Sequence, residues 1–295
     1  MIEAMSCYAL VVALAGTGAA ALLAWWVAGW AAARAAPLRR ESGEARHRHE
    51  RSASQQRGEA SEAQHGRGVG TGRANSHRLT PRARMLLVAI AFGGSATFAA
   101  IVWALAQPGV LDTFDRGLAQ GVAQSLSSLS LAGVAQFTKL GDRAYLMGVA
   151  SAVLVILLWR KDWVLAVVWV AATAGGGLLN AALKVTFERV RPDHSHGFVQ
   201  TSGFSFPSGH ATGAVAVYAM LAFVLLQFTP PARHPAIFAA ATALVVGIGL
   251  SRVLLHVHFI SDVLAGWAIT GAWVALCVLA LDIAERRSAV RASVV

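Results

Sequence analysis

The chain has 295 residues, of which 56% are hydrophobic and 14% are charged, and its formal net charge is +10. Soluble domains carry about 25% charged residues, so this composition excludes an ordinary soluble protein and indicates a membrane protein. The positive charge does not indicate a nucleic-acid partner, because most of it lies beside the first apolar run, where membrane topology accounts for it.

The first predicted element is a transmembrane helix in residues 1–36. Its apolar run covers residues 8–33, with no Lys or Arg before it and with Arg34, Arg39 and Arg40 after it. A cleaved signal peptide has the opposite order of charge and a shorter apolar core. We therefore expect a retained span whose N-terminus lies outside the cell, and cleavage is the alternative.

Residues 37–84 form the second predicted region, a basic linker. This segment is rich in Arg, Glu, Ser, Gln, His and Gly and almost lacks large apolar side chains. It cannot bury enough apolar surface to offset the cost of ordering, so we expect it to be disordered. Its excess of arginine over acidic residues predicts a cytoplasmic location, close to anionic lipid headgroups.

Six further apolar runs approach or reach the length that spans a bilayer. The predicted spans cover residues 85–107, 144–159, 163–183, 211–228, 236–250 and 263–283. The basic residues between and after these spans fall on the same side as the linker, in agreement with the positive-inside rule. Residues 285–295 then form a cytoplasmic tail. The loop at 108–142 lies on the outer side and contains a predicted amphipathic helix at 111–140.

The predicted fold is therefore all-α: a polytopic membrane helix bundle with a six-helix core in residues 85–284 and one extra N-terminal transmembrane helix. Two outward-facing segments, residues 184–209 and 252–262, hold nearly all the ionisable groups close to the membrane. A charge at mid-bilayer costs about 2.5–3.5 kcal/mol on insertion scales, so this clustering indicates a functional site.

The turn at Pro207, Ser208, Gly209 and His210 directly precedes an apolar run. A helix that starts there presents unpaired N–H groups and the positive end of its dipole, which together favour a bound anion such as phosphate. Ser208 is suited to cap the helix, Gly209 permits close approach of a ligand, and His210 can transfer a proton. The alternative is an ordinary turn before a helix.

Lys184 and Arg191 are seven residues apart, so both lie on one face if the helix continues as far as Pro192. Seven steps of about 100° return to within about 20° of the same direction. On the same reasoning, Arg189 should point elsewhere. The alternative for the two cations is that they extend toward the headgroups from a helix end.

His258 and Asp262 are four residues apart and are predicted neighbours on a helix face. A carboxylate bonded to one ring nitrogen fixes the tautomer and leaves the other nitrogen to attack or to accept a proton. Arg252 joins them only if a helix end or bend lies between it and His258. The alternative for the pair is a structural hydrogen bond.

Together these residues supply what phosphoryl transfer requires: cations and donors for the equatorial oxygens, a nucleophile, and an acid for the leaving group. The sequence contains no Asp/Glu cluster suited to Mg²⁺ and no His/Cys set at zinc spacing. We therefore expect no metal ion and no other cofactor.

Three motifs, Lys184-x₆-Arg191-Pro192, Pro207-Ser208-Gly209-His210 and Ser251-Arg252-x₅-His258-x₃-Asp262, occur in this order. In this respect the chain resembles the type 2 phosphatidic acid phosphatase superfamily, whose phosphate or vanadate pocket is shared with vanadium haloperoxidases. The resemblance covers about residues 85–283.

The resemblance implies a role for each matching position. His258 corresponds to the nucleophile that forms a phosphohistidine, Asp262 to the residue that orients it, and His210 to the acid that protonates the leaving oxygen. The remaining matching positions correspond to phosphate-holding residues, namely Lys184, Arg191, Ser208, Gly209 and Arg252.

We therefore expect a metal-independent phosphatase of the bacterial cytoplasmic membrane, with its active site facing the periplasm. Its substrate is a lipid phosphate or diphosphate such as undecaprenyl diphosphate, phosphatidylglycerophosphate or phosphatidic acid, and its partners are membrane lipids. Two alternatives stay open: a lipid-linked phosphotransferase that uses the same pocket, and a non-catalytic protein that binds or transports lipid phosphates.

Overall fold

The computed structural model describes residues 79–125, 128–192, 199 and 201–294. The predicted first span and most of the predicted linker lie outside these described residues. The described part contains helices and no strands. The helices are α1 (Pro81–Ala106), α2 (Val110–Ser125), α3 (Ser128–Phe137), α4 (Arg143–Trp159), α5 (Trp163–Phe187), α6 (Gly209–Phe228), α7 (His234–Leu254) and α8 (Ile260–Val294).

In the described part of the chain, six stretches of helix are long and apolar enough to cross a membrane, which confirms the predicted six-span core of a multi-pass membrane protein. They are α1, Ser130–Trp159, α5, α6, Pro231–Leu254 and Ile260–Ser288. The buried share of the apolar window is 56% in α6 and 67% in α8, but only 11% in α1. The bundle is therefore centred on α6 and α8, and α1 lies at its periphery.

Helix α1 begins earlier than residue 85, where the apolar run starts, and its first residues explain why. The Thr80 side chain accepts a hydrogen bond from the Ala83 N–H, and Pro81 occupies the first helical position. A Thr cap followed by Pro is a favoured helix start. At the other end of the chain, α8 continues without a break from the membrane span into the predicted tail.

One buried carboxylate, Asp282, joins α1 to α8 at the end of the bundle where α1 begins. Its side chain is 1% exposed and accepts hydrogen bonds from Arg84 Nε at 3.1 Å, Arg286 Nε at 2.8 Å and the Leu79 N–H at 2.9 Å. Arg286 also donates to the Leu79 carbonyl at 2.9 Å. The network satisfies a buried charge and fixes the start of α1.

We expect Asp282→Asn to lower the thermal unfolding temperature, because the substitution weakens the network that fixes α1 to α8. Loss of a charge-assisted hydrogen-bond network of this kind costs about 1–3 kcal/mol. The measurement is thermal unfolding of purified protein in detergent. An unfolding temperature equal to that of the wild type would show that the network does not stabilise the fold.

Close packing between α5 and α8 depends on a small residue at position 175, the first of three consecutive glycines in α5. A Cβ atom on Gly175 would lie 2.5 Å from the Trp273 ring. The Trp273 Nε1–H donates to the Ala171 carbonyl at 3.0 Å, so the indole lies directly against the α5 backbone. A Cβ on Gly177, in contrast, would meet nothing within 4 Å, so this glycine is not needed for packing.

At the opposite end of the bundle from Asp282, an aromatic cluster fixes the chain before α6. The Phe206 ring stacks on Phe98 of α1 at 5.9 Å between centroids and meets Phe187 of α5 edge-on at 5.0 Å. Phe206 is fully buried. The turn that starts α6 is therefore held against α1 and the end of α5.

Candidate active site

Three segments meet at this end of the bundle: residues 188–192 after α5, residues 201–208 before α6, and residues 255–259 between α7 and α8. All the candidate site residues lie on these segments or on the adjoining helix turns. The two predicted segments, residues 184–209 and 252–262, therefore meet here, and the first of them supplies two sides of the site.

Helix α5 does not continue to Pro192, so the condition for placing Lys184 and Arg191 on one helix face is not met. The helix ends at Phe187, and Glu188 adopts a left-handed conformation with φ of 45°, its N–H donating to the Lys184 carbonyl at 3.1 Å. This cap turns the chain, so Arg189 and Arg191 both enter the site from a loop. The prediction that Arg189 points elsewhere is wrong for the same reason.

Arg191 lies directly against His258. Its Nη1 donates to His258 Nε2 at 3.1 Å and to the Val257 carbonyl at 2.7 Å. Its Nε donates to the Gly203 carbonyl at 2.9 Å. These bonds tie the loop after α5 to both other segments. Burial lowers the pKa of Arg191 from its usual value, and the Asp262 carboxylate opposes that shift.

Lys184, on the last turn of α5, contacts backbone carbonyls of the segment before α6, the segment that Arg191 also binds. Its Nζ donates to the Phe204 carbonyl at 2.5 Å and approaches the Ser205 carbonyl at 3.5 Å. Its Cε also lies 4.0 Å from where a Cβ on Gly209 would be. The ammonium therefore lies beside the first residue of α6.

The turn before α6 forms the helix start that the sequence predicts. Ser208 is the N-cap and accepts from the Ala211 N–H at 3.5 Å, and α6 begins at Gly209. The Ser208 N–H donates to the Asp262 carbonyl at 3.0 Å, which joins the turn to the start of α8. Asn180 of α5 donates to the Pro207 carbonyl at 3.3 Å and fixes the turn from the other side.

Arg252 enters the site because α7 ends between it and His258, as predicted. The helix stops at Leu254, and His256 adopts φ of 53°. Arg252 is 1% exposed, and its Nη1 donates to Thr138 Oγ1 at 3.0 Å. Its buried Nε has no hydrogen-bond partner among the described residues. A buried cation with an unused donor favours a bound anion.

His258 and Asp262 are in contact, although not as two residues on one helix face. Helix α8 begins at Ile260, so His258 precedes it and Asp262 lies in its first turn. His258 Nδ1 lies 3.4 Å from Asp262 Oδ2, which also accepts from the Phe259 N–H at 2.9 Å. Asp262 thus orients the ring while it caps its own helix.

These contacts assign the tautomer of His258. Guanidinium groups only donate, so the Arg191 contact makes Nε2 an acceptor and leaves the proton on Nδ1, facing Asp262. Burial lowers the pKa of His258 to about 3, although the Asp262 hydrogen bond opposes this shift. The imidazole is therefore neutral at physiological pH, with its Nε2 lone pair directed at a cation.

His210, in the first turn of α6, pairs with Asp142, which precedes α4. The distance from His210 Nε2 to Asp142 Oδ1 is 2.9 Å. The imidazole lies against Gly141, where a Cβ would be 2.8 Å from His210 Cδ2, so this position requires glycine. The contact occupies Nε2 and leaves Nδ1 as the nitrogen that can serve a ligand.

Several residues of the site were not among the sequence candidates. Ser205 Oγ donates to Asp262 Oδ2 at 2.5 Å and lies 3.3 Å from His258 Nδ1. Asp142 pairs with His210, and Thr138 accepts from Arg252. His256 points away from the site and meets the Ala119 carbonyl at 2.9 Å. Ser205 could have been found from the sequence, because it lies two residues before the motif that begins at Pro207. No sequence signal indicates Asp142 or Thr138.

Comparisons with known proteins find similar phosphatases. The family model described as PAP2 superfamily matches residues 163–285. A phosphatidylglycerophosphatase B of Bacillus subtilis is 44% identical over 94 residues, which is 31% of this chain and 46% of the relative. A lipid A 1-phosphatase of Rhizobium johnstonii is 35% identical over 162 residues, covering 47% of this chain and 62% of the relative.

Among solved structures, the crystal structure of a transmembrane PAP2 type phosphatidylglycerolphosphate phosphatase from Bacillus subtilis is similar, with a TM-score of 0.55 and 26% identity. The similarity covers 70% of this chain and 96% of that one. The chain spans between 46% and 66% of the length of the curated relatives it matches. Residues 163–285, which contain all three motifs, therefore match the PAP2 superfamily domain.

Proposed function

We propose that this chain is an integral membrane phosphatase that removes phosphate from a lipid phosphate or lipid diphosphate through a phosphohistidine intermediate. One observation carries the proposal: His258 presents an unprotonated Nε2 at 3.1 Å from the Arg191 guanidinium, while its other nitrogen faces a buried carboxylate. A phosphate held by Arg191 therefore brings its phosphorus next to the nucleophilic lone pair.

Binding of the phosphate also frees the nucleophile. In the free protein, Arg191 donates to His258 Nε2. Phosphate oxygens accept more strongly from a guanidinium than an imidazole nitrogen does, because the hydrogen bonds are charge-assisted and bidentate. When the substrate binds, Arg191 therefore donates to the phosphate and no longer to His258 Nε2. The other donors to the phosphate are Lys184, Arg252 and the N–H groups at the start of α6.

The reaction then follows from the two histidines. His258 Nε2 bonds to phosphorus as the bond from phosphorus to the lipid oxygen breaks, and protonated His210 gives the Nδ1 proton to that oxygen. In the second half, His210 takes a proton from water, which attacks phosphorus and releases His258. The products are inorganic phosphate and a lipid that carries one phosphate fewer. The fixed cations supply the charge stabilisation that a metal ion gives other phosphoryl-transfer enzymes.

The charge distribution supports a periplasmic site. The end of the bundle opposite the site carries Arg84, Arg286 and Arg287, together with the basic turns at 160–161 and 233. Positive residues concentrate in the cytoplasmic loops of membrane proteins. The site therefore faces the periplasm of a bacterial inner membrane, and the substrate enters from the outer leaflet.

The names of the relatives, together with the site itself, define the substrate panel. Purified chain in detergent with EDTA is given phosphatidylglycerophosphate, phosphatidic acid, undecaprenyl diphosphate and lipid A, and inorganic phosphate is measured. We expect release from at least one of these lipids, at the same rate with and without EDTA, because protein cations hold the phosphate. Complete dependence on added Mg²⁺ would contradict the mechanism. Labelled phosphate found only in an added acceptor lipid would identify a phosphotransferase.

A further inference from the structure

Behind the His258–Asp262 pair lies a second pair, Arg189 and Asp115, and neither residue is at a specified position of the three motifs. We propose that these two are positioning residues, which hold the Asp262 carboxylate ionised and aimed at His258. This inference rests on the proposed function. The inference adds a contribution from α2 to the proposed site, and α2 lies outside the residues that the family model matches.

Arg189 bridges two buried carboxylates. Its Nη1 donates to Asp262 Oδ1 at 2.7 Å and its Nη2 donates to Asp115 Oδ2 at 2.7 Å. The Arg189 side chain is 12% exposed and both carboxylates are 0% exposed. Because a buried carboxylate needs a partner, the guanidinium that both carboxylates share is a principal contact of each.

The position of Arg189 is itself fixed from several sides. The guanidinium lies over the Phe259 ring at 4.4 Å, and its Nη1 donates to Ser261 Oγ at 2.7 Å. The Arg189 carbonyl accepts from the Ser205 N–H at 2.7 Å. Ser261 Oγ in turn donates to Asp115. A side chain fixed in this way has one orientation, and its hydrogen bond therefore also fixes the orientation of the Asp262 carboxylate.

The two oxygens of Asp262 have separate functions, and this separation is the reason that Arg189 affects the nucleophile. Oδ2 serves His258, Ser205 and the Phe259 N–H, whereas Oδ1 accepts from Arg189. Fixing Oδ1 sets the plane of the carboxylate and directs Oδ2 at the Nδ1–H of His258. Without Arg189, the carboxylate can turn or take up a proton, and the tautomer with a free Nε2 is no longer enforced.

Asp115 acts on the site by binding Arg189, and the proposal gives it no contact with the phosphate. It comes from α2, where it is the buried member of a helix whose other acidic residue, Asp112, pairs with Arg116 on the surface with 51% of its side chain exposed. Asp115→Asn and Asp112→Asn therefore make the same chemical change three residues apart on one helix, and only the first touches the network.

The test uses the full chain in detergent, with the substrate that the panel identifies. We expect Arg189→Met to lower kcat about 100-fold with KM within about twofold, and Asp115→Asn to lower kcat about 10-fold, since supporting residues of a catalytic group have effects of this size. Arg189→Lys should recover part of the loss, because one ammonium reaches Asp262. Asp112→Asn should match the wild type.

A second measurement reports on positioning without turnover. Nitrogen NMR of ¹⁵N-histidine protein, with His258 assigned from a His258→Gln sample, gives the tautomer of its ring. We expect one Nδ1–H tautomer in the wild type and a mixture in Arg189→Met. A wild type that releases no phosphate from any lipid would refute the proposed function, and the tautomer comparison would still decide the role of Arg189.

Two results would overturn the inference: a His258 tautomer unchanged in Arg189→Met, or a loss of activity carried entirely by KM, which would make Arg189 a phosphate-binding residue. If Arg189→Met yields no folded protein, the kcat and the His258 tautomer of Asp115→Asn are compared with those of Asp112→Asn instead. Equal kcat and equal tautomers in that pair would then overturn it.

Discussion

Replacing His258 by alanine should abolish phosphate release, with kcat falling on the order of 10⁶-fold, as is found when the nucleophile of a covalent mechanism is removed. The reason is geometric. His258 Nε2 is the nitrogen that faces Arg191, the proposed phosphate-binding residue, and the methyl group of alanine supplies no nucleophile in its place. The assay is steady-state release of inorganic phosphate from the lipid that the panel identifies.

A labelled substrate separates this mechanism from its alternatives. Wild-type chain that is mixed with ³²P-labelled lipid and quenched in alkali should retain label on the protein, because a phosphorus–nitrogen bond survives base, and His258→Ala should retain none. His234→Ala is a matched control. That imidazole bonds the Thr229 carbonyl at 3.1 Å before α7, at the other end of the helix from Arg252. Steady-state turnover that survives in His258→Ala would remove the covalent step.

Inorganic phosphate addresses the binding-only alternative. It should still raise the unfolding temperature of His258→Ala, since Lys184, Arg191 and Arg252 remain in place. A protein that only binds lipid phosphates would respond to phosphate in the same way before and after the substitution, but it would release none from lipid in either form.

How far the sequence predicted this site depends on the kind of contact involved. The motif residues come together because each lies at a helix end on the same side of the bundle, and span length and loop charge predict that topology. The break between Arg252 and His258 was predicted as well, because an unbroken helix would have separated them.

The error at Arg189 has a physical cause. Local periodicity extends α5 through the polar residues after Phe187, whereas the chain turns at Glu188 with a left-handed φ of 45°. The turn brings the Arg189 carbonyl to the Ser205 N–H and its guanidinium to two carboxylates. These are long-range contacts, and they outweigh the preference of a helix to continue.

The partners of the motif residues were missed for a related reason. Ser205 and Asp262 are 57 residues apart, His210 and Asp142 are 68 apart, and Arg252 and Thr138 are 114 apart. A periodic pattern reports which face of a helix is apolar, but not which polar side chain on another helix will meet it. Such pairings are specified only by how the helices pack.

Asp262→Asn should lower kcat about 10⁴-fold with little change in KM, because an amide cannot serve both sides of this carboxylate. Asp262 Oδ2 accepts from Ser205 Oγ and from the Phe259 N–H and faces His258 Nδ1, while Oδ1 accepts from Arg189. Asparagine has one oxygen. With its NH₂ toward His258, the amide favours the tautomer that carries the proton on Nε2, which cannot attack phosphorus. With its NH₂ toward Arg189, two donors face each other.

Asp282→Asn is the control for loss of a buried carboxylate, since Asp282 lies on the same helix, is 1% exposed and binds arginine at the far end of the bundle. The two variants should lose stability to a similar degree, but only Asp262→Asn should lose turnover. Equal kcat in the two variants would show that Asp262 supports the fold and not the nucleophile.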